Sequence, residues 1–530
     1  MPIHRIAIAA THRFSPLVLD HAAGDPFLDS FRDHAPTWDG LSAAAKAERF
    51  SAENRAVLVA AIKRQYAGIA LGDAVSLGIE KLARPDALTV TTGHQLCLFL
   101  GPLYVPFKLL NTVRLAREAE ARLKVPVVPV FWLASEDHDR AEIDHAWFGD
   151  LKLHWPGAAG GAVGRMPLQG IEPVVEEACK ALGPGAEADR LRQLLRECYR
   201  PERTLAEATR RFAHALFGRY GLVIVDGDER SLKQLFAPIM REELLNRITK
   251  RSVDYADERL AERYAPQAHA RGINLFHMRA GHRSRIEEAD GGYQVLAGGP
   301  RFSADELLLD VELRPQDYSP NVLLRPLYQE TILPNIAYIG GGGELAYWMQ
   351  LKWLFQAVRL PMPVAMLRTS AAFLDAKGER QRGELGLSID DLFSPAHVLR
   401  TRVARSQQGD QAVLQDEASR LLELMSAARA KAIAADPTLA RSADAALVRM
   451  QRSLDGLQQR IDRALRRKEA VRIGRLDGML DALFPGGVLQ ERRWNGLPVI
   501  AAEGEEVLDR WLAALDPMDQ RFTVMSEGQA

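Results

Sequence analysis

The chain has 530 residues, 47% of them hydrophobic and 26% charged. That is ordinary globular composition, and it excludes a disordered chain, a collagen-like repeat and a disulfide scaffold. At roughly 100–200 residues per domain, the length allows about three or four structural units. Lys plus Arg is 68 and Asp plus Glu is 69, a formal net charge of −1. A dedicated nucleic-acid binder carries a basic excess, so no nucleic-acid partner is expected. The three cysteines, Cys97, Cys179 and Cys198, are odd in number and show neither redox nor metal-ligand spacing, which points to a reducing compartment. Residues 1–14 mix charges and histidines into a short apolar run, and the longest apolar stretch, about residues 125–134, is far short of the roughly 20 residues that span a bilayer. A soluble, cytoplasmic protein with no membrane partner is expected.

In chain order, residues 1–85 hold a short apolar start and then polar, Ala-rich, helix-like sequence. "ALTVTT" at 87–92 predicts a strand running into Gly93. Leu109, Val113, Ala116, Ala119 and Leu123 recur at three- and four-residue steps, one apolar helix face. "VPVVPVFWLA" then suits a buried parallel strand, although Pro126 and Pro129 predict that it starts late. Strand, helix, strand is a βαβ unit, and an α/β, doubly wound sheet follows. "GLVIVDGD" at 221–228, "MPVAMLR" at 362–368 and "LPVIA" at 497–501 predict further buried strands. The core is thus assembled from separated pieces: 1–150, 221–235, 321–399 and a C-terminal return over 476–530. Two inserted subdomains, 151–220 and 236–320, interrupt it.

Residues 400–475 differ. Leu414, Ala418, Leu421, Met425 and Ala428, and then Leu447, Met450, Leu454, Leu457, Ile461 and Ala464, step by three and four on either side of Pro437. Two long helices in an antiparallel coiled-coil hairpin are expected. From Arg460 to Arg475 the chain carries a local excess of five positive charges, read as a solvated helix face.

Three segments cluster small, charged and aromatic residues beside predicted strand ends, where open α/β sheets bind ligands. The first holds Gly93, His94 and Gln95, then Gly101, Tyr104 and Lys108. Its glycines permit close backbone approach, a helix start follows, and Lys108 adds a cation, so phosphate or carboxylate binding is expected. It is neither a P-loop nor a G-x-G-x-x-G. The second is Glu136, Asp137, His138 and Asp139. Alternate residues at a strand end can share a crevice, so Asp137 with Asp139, or Glu136 with His138, could hold Mg²⁺, position an amine or act as base. No cysteine lies near, so zinc is not expected. The third holds Arg325, Gln329 and Glu330, then Gly340 to Gly343, Glu344 and Tyr347. Four glycines in a row suggest close approach of backbone to a ligand, and Arg325 beside Pro326 is a placed guanidinium for a carboxylate or phosphate. Glu344 opens a predicted helix over 344–357. Cys97 sits in an apolar run and reads as packing.

These stretches carry a resemblance. "TTGHQLCLFLGPLYVPFKLL", "VPVVPVFWLASEDHD", "SPNVLLRPLYQETILPNIAYIGGGGELAYWMQLK" and "LFPGGVLQERRWN" resemble, in order and spacing over essentially the full chain, the bacillithiol-biosynthesis cysteine-adding enzymes, the BshC family. The resemblance implies a Rossmann-like core with two inserted connecting subdomains, related to class I nucleotidyltransferases and aminoacyl-tRNA synthetases. It also implies a coiled coil that makes a homodimer, and a ligase that joins cysteine to glucosaminyl-malate through an amide. Where the family usually reads T-G-Q-Q, this chain has His94. A slot that takes glutamine does not need imidazole proton transfer, so His94 is expected to hydrogen-bond ligand.

Amide formation from a free carboxylate is uphill, so activation of cysteine by ATP, with Mg²⁺, is expected. Asp137 or Glu136 would then take the amine proton. The Gly93, Gly101 and Lys108 region would hold phosphates or the malate carboxylate, with Arg325 and Gly340–Gly343 clamping the other anion. Two alternatives are a non-catalytic nucleotide-binding scaffold and an adenylating enzyme like the aminoacyl-tRNA synthetases.

Overall fold

The structure, a computed structural model, describes residues 2–47, 50–157, 160–406 and 414–526. Residues 407–413, within the predicted hairpin segment, lie outside the described residues. The chain divides into two compact units. Residues 5–372 and 489–523 form the larger; residues 373–488, with short terminal pieces, form the smaller.

The larger unit is built on five parallel strands: β1 (Leu88–His94), β2 (Val127–Leu133), β3 (Val223–Asp226), β4 (Asn335–Gly340) and β5 (Val364–Leu367). Their spatial order is β5-β4-β1-β2-β3, with every neighbour parallel. The chain steps outward from β1 through β2 to β3, then returns to the other side of β1 for β4 and β5. The direction reverses between β1 and β4, so the crevice at their carboxyl ends is the topological switch point.

Helix α1 (Tyr104–Leu123) joins β1 to β2, and Leu109, Val113, Ala116 and Ala119 are buried as their spacing predicts. Leu115, Ala116 and Ala119 share one apolar core with Val90, Val127, Ile336 and Val364. All of β2 is buried, as parallel strands covered on both faces must be. The prolines act on one side only: Pro129 lies in register with Val90, while pairing with β3 begins at Val130.

Between β2 and β3 lie three helices, Glu172–Ala181, Ala186–Cys198 and Leu205–Phe217. After β3 come α2 (Arg230–Asn246) and a helix over Ile248–Leu260. An antiparallel sheet follows, in the order Arg301–Phe302, Gly292–Val295, His282–Ala289, Leu275–Arg279 and Tyr318–Pro320. Helix α3 (Arg325–Ile332) leads into β4; α4 (Gly342–Trp348) and α5 (Lys352–Ala357) lead to β5.

Two expectations are corrected. "LPVIA" is not a strand but the start of a helix, Leu497–Glu503. Pro498 fits its first turn and Leu497, Ile500 and Ala501 are its buried residues, a helical rather than an alternating pattern. The helix predicted over 344–357 is broken between α4 and α5. At the break, buried Gln350 accepts from Ala268 N (3.1 Å) and donates to Ala268 O (2.8 Å). The break thus pins the 266–274 loop.

In the smaller unit, α6 (Gln415–Ala435) and α7 (Ala440–Lys468) form the expected hairpin around a turn at Pro437–Leu439. Asp436 caps the turn by accepting from Thr438 N at 2.8 Å, and Arg429 bridges to Asp444 at 2.7 Å. No residue of α6 is buried, and in α7 only Asp462 is, paired with Arg405 at 2.8 Å. Leu421, Met425, Leu454 and Ile461 are half-buried along one seam. Met450 and Leu457, expected on that seam, are instead 41% and 49% exposed. The basic stretch is in part paired: Arg472 meets Glu469 within it at 3.6 Å, and Arg475 meets Glu384 outside it at 2.9 Å.

Candidate active site

A cavity of about 770 Å³ opens at the switch point. Its walls are the ends of β1 and β4, the segment after β2, and residues from the 267–285 stretch of the second insert. Six guanidinium groups line it, from Arg271, Arg283, Arg285, Arg325, Arg368 and Arg492, with four carboxylates, Glu136, Asp137, Glu142 and Glu344.

At the β1–β4 corner, Gly93, His94, Gln95, Tyr104, Arg325, Gly341, Gly343, Glu344 and Tyr347 all line the cavity. Other expected binders do not. Lys108 is buried beneath, donating to Gly93 O and to Glu344 Oε2, each at 2.7 Å. It is therefore a structural cation and not the free charge expected for a phosphate. A Cβ on Gly101 would come within 2.5 Å of Asn495 Nδ2, so this glycine serves packing instead of a ligand. Gln329 and Glu330 are buried outside the lining. Gln329 accepts from Arg325 Nη1 at 3.2 Å, and Glu330 accepts from Asn335 Nδ2 at 3.0 Å. Both position the corner from behind.

The glycine run divides in the same way. Gly340 ends β4, where a Cβ would lie 3.0 Å from Glu344 Cβ; one on Gly342 would lie 2.8 Å from Val18 Cγ2. Gly343 has open space. None of the four has a positive φ, so close packing and access to the cavity explain the run.

The electrostatics of this corner follow from its contacts. Burial works against ionisation of Glu344, but Lys108, the Gly341 N–H (2.8 Å) and the Tyr338 hydroxyl (2.5 Å) outweigh it and hold the carboxyl down to about 2. His94 is pushed down to about 3 by burial, with the Lys108 charge adding. It is neutral, with Tyr104 Oη 3.4 Å from its Nε2. Arg325 donates to Gln329 and, at 3.1 Å, to Tyr347 Oη. Among the described residues it makes no salt bridge, so it faces the cavity with neutral hydrogen-bond partners and the Glu344 carboxylate at longer range.

The acidic segment after β2 does not act as one group. Glu136 pairs with buried Lys233 of α2 at 2.6 Å. Asp137 accepts from Gln95 Nε2 and from His138 N, and Arg283 lies 3.7 Å away. Burial raises its carboxyl, yet the His138, Gln95 and Arg283 interactions win and hold it well below the usual carboxylate range. Asp137 is thus a committed anion and a poor proton acceptor, which argues against it as the group that takes the amine proton; burial raises the Glu136 carboxyl against the Lys233 charge, but Glu136 is itself buried and held in that ion pair. His138 is exposed at the cavity wall, 2.7 Å from Arg283 Nη1. Asp139 is exposed and outside the lining. Among the described residues no three His, Cys, Asp or Glu side chains come together as a metal site. Cys97 is buried, its thiol pushed up to about 12 by burial.

Residues with no motif complete the site. Arg283 stacks over Phe276 (3.8 Å) and donates to Ser319 Oγ (3.1 Å) and Pro320 O (2.8 Å). Arg283 and Arg285 sit two apart on one strand and so share a face; that spacing was the one signal available. Arg368 follows β5 and is locked to buried Glu491 by two bonds of 2.7 and 2.8 Å. Arg492 and Glu142 have no sequence pattern that singles them out.

A Rossmann-like α/β sheet with a charged cavity at its switch point defines a protein of that fold class whose cavity lies where such sheets bind ligands. Two family models place it further. Residues 1–369 match the bacillithiol biosynthesis BshC N-terminal Rossmann-like domain, and residues 371–527 match the BshC C-terminal coiled-coil domain. The chain belongs to the BshC family. A protein of Flavobacterium johnsoniae named "Putative cysteine ligase BshC" is 34% identical over 99% of this chain and 100% of its own length. One of Flavobacterium psychrophilum with the same name is 33% identical over 99% of each chain, and one of Shouchella clausii is 27% identical over 92% and 93%.

Proposed function

We propose that this chain is a cysteine ligase of bacillithiol biosynthesis. It would join the carboxyl of cysteine to the amine of glucosaminyl-malate after ATP activates that carboxyl as an adenylate or an acyl phosphate. The observation that carries this reading is Arg325. It is a guanidinium at the switch point with neutral hydrogen-bond partners only, facing a cavity whose other cations include Arg271, Arg283 and Arg285. Desolvating a cation that makes no close ion pair is costly; Glu344 offsets part of that cost from a distance, and an anionic ligand would remove the rest. Two anionic groups, a nucleotide phosphate and the malate, suit two arginine-bearing walls.

The residues present fit a nucleotide. Gly341 and Gly343 leave the cavity corner open to backbone approach, and Arg325 supplies charge beside it. Neutral His94 and Tyr104 would orient ligand by hydrogen bonding. Mg²⁺ would arrive with the nucleotide phosphates, as it commonly does where a protein supplies few ligands. Reaction in the cytoplasm, on small soluble substrates, belongs to the same reading.

Purified protein incubated with cysteine, glucosaminyl-malate and Mg-ATP should yield bacillithiol and a cleaved nucleotide by mass spectrometry. Absence of both, with folded protein and verified substrates, sinks the proposal. A homodimer through the hairpin is part of it. Leu422, Leu424, Val448, Met450 and Leu457 are 41–68% exposed, apolar surface that a second hairpin would cover. Deleting 414–468 should leave a monomer in light scattering; a persisting dimer moves the interface elsewhere.

A further inference from the structure

The proposed reaction needs a proton acceptor, and the two residues that the sequence suggested are both held in ion pairs, Glu136 with buried Lys233 and Asp137 with Arg283. Four carboxylates line the cavity. Glu136 is tied to Lys233, Asp137 to His138 and Arg283, and Glu344 to Lys108. Glu142 is the one cavity carboxylate with no salt bridge among the described residues. It closes a single 3₁₀ turn, Arg140–Glu142, and its side chain is exposed to the cavity. Its neighbours are not cations: Asp137 and Asp139 repel it, and the Gln95 amide lies between it and Asp137. Burial and those two negative charges raise its carboxyl above the ordinary value, the direction a base working near neutral pH needs. Gln95 Oε1 is buried with no donor among the described residues, an acceptor left over beside the same spot.

We propose that Glu142 is the catalytic base of the ligation, with Gln95 accepting a second N–H of the same amine. This rests on the cysteine-ligase reading. The sugar amine nitrogen forms its bond to the activated cysteinyl carbon as the phosphate or nucleotide leaves with its electron pair. The proton lost from the nitrogen passes to the Glu142 carboxylate, and the amide remains.

The test separates activation from ligation. With ATP and cysteine, hydroxylamine traps activated cysteine; it is already neutral at pH 7 and needs no base. Glu142→Gln should cut bacillithiol formation about 100-fold or more, the scale of a lost general base. Hydroxamate formation should stay within about threefold of the parent, and formate should partly restore ligation by Glu142→Ala. Ligation unchanged in Glu142→Gln overturns the assignment. Equal loss of ligation and trapping also overturns it, because that marks an effect on activation or folding. A parent enzyme that gives neither hydroxamate nor bacillithiol removes the ligase reading itself, an outcome distinct from both.

Discussion

The parallel sheet and the hairpin put their apolar residues to opposite ends. In β2 and β4 every residue is buried, and each large aliphatic side chain so buried is worth roughly 1.5–3 kcal/mol. In α6 and α7 not one apolar residue is buried, and Leu424 is 68% exposed. The sheet therefore holds itself together, while the hairpin keeps apolar surface in hand for something else. Charges divide likewise. The larger unit includes buried fixed pairs such as Arg368 with Glu491, beside exposed ones on its surface; in the hairpin Arg429 meets Asp444 in the open.

That contrast breaks most sharply at Arg368–Glu491, where the side chains are 3% and 0% exposed. Glu491→Ala strands a buried guanidinium and should cost about 3–5 kcal/mol in urea unfolding. Arg429→Ala in the hairpin should cost less than about 1 kcal/mol. Equal losses would erase the distinction.

A second effect of similar type is set by pH. His21 is buried, both ring nitrogens lack a partner among the described residues, and burial, with Arg32 adding, pushes it down to about 4. The unfolded chain binds this proton near 6.5, the folded chain only near 4. Stability from this group is therefore full above about pH 6.5 and falls as pH drops toward 4. At about 1.4 kcal/mol per unit, the loss approaches about 3 kcal/mol. Urea midpoints at pH 7 and 4.5 should converge in His21→Leu relative to the parent; an unchanged gap would mean that His21 is protonated in the fold.

At the cavity, Arg325→Lys should keep the fold but lower turnover about 10- to 100-fold, because an ammonium cannot reproduce the fork that holds Gln329 and Tyr347. Kinetics with a melting curve would check it, and parental turnover would remove Arg325 from ligand binding. The smallest effect on stability is expected at Leu424→Ser, within about 0.5 kcal/mol. If the proposed hairpin dimer forms, the variant should weaken it by sedimentation, and an unchanged dimer would place Leu424 outside the interface.

Much of this was legible in the chain. β1, α1, β2, β3 and β5 lie where apolar runs and three- and four-residue steps put them, since periodicity is a local property. "LPVIA" failed because a five-residue apolar run fits either period, and a first-turn proline decides for helix. The segments holding Gly93–Gln95, Arg325 and Gly341–Tyr347 were recognisable as site-forming from their glycines and charges. The roles of Lys108, Gly101, Gln329 and Glu330 were not, because the same residue types serve a ligand or a buried partner, and only the partner tells which.

The sequence alone determined the α/β class, the order of the core strands along the chain, the helical hairpin and the family. The tertiary structure decided the rest. It set β4 beside β1 and so fixed where the switch point lies. It carried Arg271, Arg283 and Arg285, with no motif of their own, to the wall of that crevice. It paired three of the four cavity carboxylates with cations and, among the described residues, left Glu142 without one. Periodicity and motifs act over a few residues, whereas an ion pair such as Lys108 with Glu344 joins positions 236 residues apart, and no local pattern encodes it.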